Sequence, residues 1–305
     1  MDQLLERAKA PILVTGVTGQ VGRELMSQSD PRARPLIGLS RAKLDIEDFS
    51  QILAAIADIA PSLIINAAAY TAVDNAERNC ALAFAANGDG PANLARACAA
   101  IRIPLVHIST DYVFDGLKTE PYIETDPPAP LCAYGASKLA GEEAIREHLE
   151  RHVIVRTAWL FSVHRVNFVK TILRLAAEHS EIRVVDDQRG GPTAAADLAQ
   201  LLLAVAEAVL HRDNELWGTY HYCGSPAVSW CAFARAIVEE AEPYLRKSVA
   251  VFPISSEDYP TAARRPANSM LNCAKTIATF DVEQSEWRSA LAGVVASLVE
   301  EYRSE

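Results

Sequence analysis

The sequence has no apolar run approaching the roughly 18 residues a membrane-spanning helix requires, so no segment is expected to cross a bilayer. It has no surplus of positive charge: 29 Lys and Arg face 39 Asp and Glu, a formal net charge of −10. Phosphate neutralisation supplies most nucleic-acid affinity, so an acidic chain without a basic tract is not expected to bind nucleic acid. Any anionic ligand has to be met locally, by a few Arg, Lys or helix N-termini. The six cysteines, Cys80, Cys98, Cys132, Cys223, Cys231 and Cys273, include no CxxC pair and read as reduced, buried or half-buried thiols. None of the seven histidines has a partner at metal-ligand spacing, and His107, in mid-strand, reads as a satisfied core residue. Residues 1–10, MDQLLERAKA, carry both charges and no apolar centre, so the expected location is cytoplasmic. Repeats and low-complexity tracts are absent as well.

What is present is a chain of 305 residues, half of them apolar and 22% charged, enough for one large or two joined domains around a sizeable core. Apolar runs at 11–16, 34–39, 62–68, 104–110 and 152–159 alternate with helical patterns at 20–28, 48–60, 76–101 and 136–148. The long Ala-rich pattern is interrupted around Asn87-Gly88-Asp89-Gly90-Pro91. Val-, Ile- and Leu-rich strands alternating with helices predict an α/β fold, a doubly wound parallel Rossmann-type sheet covered on both faces. Beyond Trp159 the alternation loosens, with helices expected at 165–179, 195–211 and 230–241 and a strand at 218–224. The expected division is a dinucleotide-binding domain over 1–158, with 193–222 returning to it. Residues 159–192 and 223–305 then form a smaller C-terminal α/β substrate lobe.

The segment VTGVTGQVGREL puts Gly16, Gly19 and Gly22 between the first strand and the first helix. Glycine lets the backbone turn tightly against a pyrophosphate, and the helix N-terminus supplies oriented N–H groups. In that strand–turn–helix context the loop points to a dinucleotide, with a ligand-free tight turn as the alternative. The second strand ends in Ser40-Arg41, a hydroxyl and a cation where an NAD-specific site would carry a carboxylate. That favours NADPH, with NADH still usable; the alternative for Arg41 is a solvated loop charge. Asp45 could accept from the adenine amino group or cap the helix at 48.

Tyr134 and Lys138 stand four apart in YGASK, on one helix face, so phenol and ammonium can share a pocket. A nearby ammonium stabilises phenolate and is expected to lower the tyrosine pKa. Thr110 ends the fourth strand, at the sheet edge where ligands of open α/β sheets bind. Thr110 as orienting donor, Tyr134 as proton carrier and Lys138 as its tuner form the catalytic candidate set. A non-catalytic NADP-binding subunit of the same fold would be expected to lack the Tyr/Lys pair.

Together with LIINAAAYTAVDNAE, HISTDYVFDG, RTAWLF, DDQRGGPT and RRPANSML, these motifs resemble the extended short-chain dehydrogenase/reductases, and within them the dTDP-4-dehydrorhamnose reductases. The resemblance runs nearly the full length. It implies NADPH-dependent reduction of the C4 keto group of a dTDP-linked 4-keto-6-deoxysugar, or failing that reduction or epimerisation of another nucleotide sugar. Gly16, Thr18, Gly19, Gln20, Val21, Ile46, Ala68, Ala69, Tyr70 and Thr71 are then cofactor-side candidates, joined by Tyr134 and Lys138. Thr110, Asp111, Tyr134 and Trp159 face the substrate, with Tyr70 and Asn87 as further pocket candidates. Trp159 either stacks on the sugar or fills the domain seam. Arg265 either meets the diphosphate or braces its loop through an acid such as Glu257 or Asp258. Dehydratase relatives carry a second acid after Asp111; here Tyr112 follows, which argues for simple carbonyl reduction. Dimeric members share a cation through acids near the glycine loop and after GxPT. Glu24 suits the first place, but Ala194-Ala195-Ala196 fills the second with Asp197 out of register, which argues against a metal-linked dimer and for a monomer or weak homodimer. Asp186-Asp187 reads as a hydrogen-bonded turn more readily than as a metal site.

Overall fold

Alternate residues of each apolar run face opposite sides of one sheet. Ile12, Val14, Leu63, Ile65, Val106 and Val155 pack with Leu198, Leu202 and Leu25 on one side. Leu13, Ile64, Leu105 and Ile154 pack with Ile52, Ile56, Leu94 and Ile145 on the other. Burial on both faces is why these strands read as continuous apolar runs. The computed structural model describes residues 10–29, 34–211, 216–245 and 247–304.

The sheet has six parallel strands: β1 (Ile12–Thr15), β2 (Leu36–Leu39), β3 (Leu63–Asn66), β4 (Leu105–Thr110), β5 (His152–Thr157) and β6 (Gly218–His221). Their spatial order is β6-β5-β4-β3-β1-β2. The chain reverses direction of addition between β1 and β3, which opens a crevice beyond their carboxyl ends. Helix Ala195–His211 packs on the β1/β3 side, and β6 adds in register beside β5. After β5, helices Phe168–Glu178, Trp230–Ala241 and Trp287–Ser304 gather around the parallel pair Glu181–Val185 and Ala250–Ile254, with Trp287 fully buried among them. No helix among the described residues is long and apolar enough to cross a membrane.

The helical pattern at 76–101, expected to be interrupted around 87–91, is divided into four pieces. Val73–Ala76 and Cys80–Phe84 precede a π-helical turn over Ala85–Asp89, and a regular helix resumes at Gly90–Ile101. Pro91, in the first turn of the resumed helix, has no N–H to continue the ladder. The wide turn carries Asn87 inward. Its side chain clamps both backbone groups of Tyr70 (2.8 and 3.0 Å) and donates to Ser137 on helix Ala133–His148 (3.0 Å). All six cysteines are free; Cys80 is exposed, against expectation, because the short helix it begins lies on the surface.

Candidate active site

The loop after β1 is built from glycine because nothing larger fits. Gly16 has φ +71°, and a Cβ there would lie 2.5 Å from the Ala68 nitrogen; at Gly22 it would lie 2.4 Å from the Gly16 carbonyl oxygen. Helix Gln20–Ser27 has Gly19 as N-cap with no side chain capping it, so its first-turn amides remain open to an anion. They face a cavity of about 990 Å³ at the β1/β3 crevice, and the fit to a dinucleotide pyrophosphate is good.

That cavity brings together Gly16, Thr18, Gly19, Gln20, Val21, Arg41, Asp45, Ile46, Ala68, Ala69, Tyr70 and Thr71 with Thr110, Asp111, Tyr134, Lys138 and Trp159. Ser40 stands off its wall and turns its carbonyl to the Lys43 and Leu44 amides, both at 2.9 Å. Gln20 accepts from Ser162 (2.8 Å) and Asn167 (3.2 Å), tying the glycine loop to the chain beyond β5. Arg41 is held between Asp45 (3.2 Å) and Glu47 (2.7 Å). Asp45 is not the helix cap: Asp48 takes that place, accepting from the amides of Ser50 and Gln51, because it directly precedes the first helical residue.

Helix Ala133–His148 starts at Cys132, so Tyr134 lies in its first turn and Lys138 one turn on, both toward β4. Lys138 is 2% exposed and donates from Nζ to the Ile108 carbonyl at 2.7 Å. Burial lowers its pKa to about 8, against the pull of Glu142. Tyr134 meets Tyr112 edge-on at 5.5 Å. Its phenol is pushed up, not down as expected, since desolvation outweighs the opposing hydrogen bond with Thr110. A raised pKa keeps the proton on the phenol at neutral pH, which suits a donor. Thr110 Oγ1 donates to Asp111 Oδ1 at 3.0 Å and accepts from the Tyr112 amide at 3.2 Å. His107, expected as a core residue, is buried but touches Lys138, which no spacing rule announces.

Asp111 is 2% exposed, and burial raises its carboxyl to about 6 against the opposing pull of Ser269 and Thr110. The folded chain therefore binds this proton more tightly than the unfolded one, and the associated stability is lost as pH rises from about 4 to about 6. Roughly two pKa units correspond to about 3 kcal/mol. Asp111→Asn is expected to gain stability over wild type by up to that amount, with the gap widening across this window and then levelling. Urea titrations at several pH values measure it; a pH-independent gap rules the effect out.

Trp159 has φ +50°, a region that favours glycine, and Gly190 leaves the space its indole occupies. It stacks on Trp230 at 3.5 Å and also lines the cavity, so it fills the seam while facing the ligand space. Arg165 and Lys170 add cations to the same wall; sequence reasoning missed them because they lie far along the chain from the glycine loop. A second cavity, about 1220 Å³, meets the first at Tyr112 and is lined by Phe168, Arg183, Gln188, Trp230, Arg264 and Arg265. Arg265 is bound to Asp74 at 3.1 and 2.7 Å rather than to Glu257 or Asp258, because its loop folds back onto the short helix Val73–Ala76. Asp258 serves Ser255 instead. Asp186 and Asp187 accept from Ser229 and Ser256, as a hydrogen-bonded turn would; Glu24 pairs with His164 and Asp197 with Ser285. No metal-ligating cluster occurs among the described residues.

Residues 10–300 match the family described as the RmlD substrate binding domain. The chain is 40% identical over 289 residues to the dTDP-4-dehydrorhamnose reductase of Sinorhizobium fredii, covering 94% of this chain and 97% of that one. It is similar to the crystal structure of dTDP-4-dehydrorhamnose reductase from Bacillus anthracis in complex with NADP, with TM-score 0.88, 37% identity, and 95% and 99% of the two chains covered. Thermus thermophilus UDP-glucose 4-epimerase, solved with NAD, shares the fold at TM-score 0.79 and 20% identity over 95% and 99% of the chains.

Proposed function

The chain belongs to the RmlD substrate binding domain family, and from that premise we propose that it reduces the C4 keto group of dTDP-4-dehydro-L-rhamnose to give dTDP-L-rhamnose, using NADPH. One observation carries the reading: Tyr134, Lys138 and Thr110 line the same cavity as the open helix N-terminus at Gly19. Gly16, Thr18, Gly19, Gln20 and Val21 hold the pyrophosphate, Ala68 to Thr71 the opposite side, and Arg41 the 2′-phosphate. The dinucleotide bound there supplies a hydride to C4.

The chain's own residues do the rest. Tyr134, kept protonated by its surroundings, gives its proton to the keto oxygen, and Thr110 orients that oxygen. The Lys138 ammonium stabilises the phenolate left behind. Asp111 and Trp159 border the sugar. The cavity beyond Tyr112 is where the nucleotide diphosphate meets Arg265. The test is to follow NADPH absorbance with a panel of dTDP-4-keto sugars. Oxidation dependent on dTDP-4-dehydro-L-rhamnose supports the reading, and no oxidation with any of them removes it.

Two variants probe the ends of the site. Arg41 shares its charge with two acids, so Arg41→Ala is expected to narrow the NADPH-over-NADH ratio of kcat/KM only about three- to tenfold. An unchanged ratio would discharge Arg41 from cofactor choice. Arg265→Ala breaks a half-exposed ion pair worth about 1 kcal/mol at most, so Tm should fall by only a few degrees. KM for the dTDP-sugar should rise about tenfold while NADPH affinity holds, because a diphosphate contact remote from C4 is made equally in ground and transition states. An unchanged sugar KM would take Arg265 out of the site.

A further inference from the structure

The buried end of Lys138 is tied to a chain of polar groups. Its Nζ meets His107 Nε2 at 3.2 Å, and the other ring nitrogen, Nδ1, lies 3.0 Å from Asn66 Nδ2. Asn66 Oδ1 in turn takes the Ala68 backbone N–H at 3.1 Å and the Thr15 hydroxyl at 2.6 Å. Thr15, Asn66 and His107 come from β1, β3 and β4, and with Lys138 none is more than 2% exposed. No water-facing group relaxes the pattern, so donors and acceptors have to match along its length.

A backbone amide can only donate. The amide beside Asn66 therefore fixes Oδ1 on that side and turns Nδ2, a donor, toward His107. Nδ1 of the ring is then an acceptor. A neutral imidazole carries one N–H, which has to sit on Nε2 and point at Lys138. An ammonium has no lone pair to receive it; a neutral amine has one. A doubly protonated ring would set N–H against Nδ2 as well as against Nζ.

We propose that His107, its tautomer set by Asn66, is a positioning residue that presents Nε2–H to Lys138 Nζ, favours the neutral amine, and so sets the pH at which Lys138 loses its charge. The other ionisable groups around the pair are accounted for. Glu142, on the helix of Lys138, favours the ammonium but is itself engaged by Arg156 and Arg146. His152, on β5, acts on His107 through its charge alone, and burial with the Lys138 charge holds His107 far below its usual range. The Tyr134 phenol shares the cavity wall. The functional consequence rests on the reductase reading: if the ammonium stabilises the Tyr134 phenolate, turnover falls on the alkaline side as Lys138 loses its proton, and His107 draws that limb down toward neutral pH.

Nitrogen-15 spectra of histidine in the ligand-free protein test the tautomer directly, with the His107 signals identified by their loss in His107→Phe. The expected result is Nε2–H in wild type. In Asn66→Asp the isosteric carboxylate offers Nδ1 an acceptor, and the ring should switch to Nδ1–H. In His107→Phe the titration midpoint of the Lys138 amine, identified by its loss in Lys138→Met, should rise by about one pH unit, a tenfold change in its protonation constant. The alkaline limb of NADPH oxidation should move with it. An Nδ1–H tautomer in wild type, or a Lys138 midpoint that stays or falls in His107→Phe, overturns the proposal. Should His107→Phe not fold, the histidine signals are identified by selective labelling, and the wild-type tautomer and the Asn66→Asp switch decide it. Absence of NADPH oxidation in wild type would count against the reductase reading alone, since tautomer and amine titration are read without turnover.

Discussion

Tyr134→Phe is expected to fold, to bind NADPH within a few-fold of wild type, and to lose turnover by roughly a hundredfold or more. The hydroxyl is the one atom removed, and a positioned proton donor contributes on that scale. The ring keeps its edge-on packing against Tyr112, so little stability goes with it. Steady-state rates, a cofactor titration by fluorescence and a melting curve on the same preparation separate the effects. Turnover within a few-fold of wild type would exclude Tyr134 as the donor. A matched loss of cofactor affinity would assign it to binding.

The second large effect lies behind the active site. Glu142 is fully buried and receives Arg156 at 2.9 and 2.6 Å and Arg146 at 2.6 Å, with Ser109 at 2.5 Å. Burial works to raise its carboxyl, and the Arg156 contacts overcome that and leave it below the usual carboxylate range. Helix Ala133–His148 is thereby bolted to β4 and β5 at one point. Glu142→Gln keeps the shape but leaves Arg156, 2% exposed, without its counter-charge. Removing one partner of a buried pair costs about 3–5 kcal/mol, which for a chain of this size lowers Tm by roughly 5–8 °C. Differential scanning calorimetry measures it. A shift of only a degree or two would mean that water or another acid takes over Arg156. The same variant withdraws the charge that favours the Lys138 ammonium, so its alkaline limb should move down, opposite to the shift expected for His107→Phe.

Periodicity and local rules determined the parallel sheet, the helices that cover it and the glycine turn. Each shows in a pattern of a few residues: Ile12, Leu13 and Val14 alternating between the two faces of the sheet, Asp48 capping its own helix, Gly22 where a Cβ would meet the Gly16 carbonyl. The four-residue interval from Tyr134 to Lys138 is likewise a local property of a helix. Tertiary structure alone decided what those side chains meet. The direction of the Tyr134 shift follows from how much protein surrounds the phenol, which no spacing encodes. Asp74 rather than Asp258 receives Arg265 because two segments almost two hundred positions apart fold together. The link from Thr15 through Asn66 and His107 to Lys138 crosses three strands and a helix, and it exists only because the order of β1, β3 and β4 sets them side by side. Sequence patterns carry short-range geometry; the protonation of a buried group depends on every neighbour the fold brings to it, near or far along the chain.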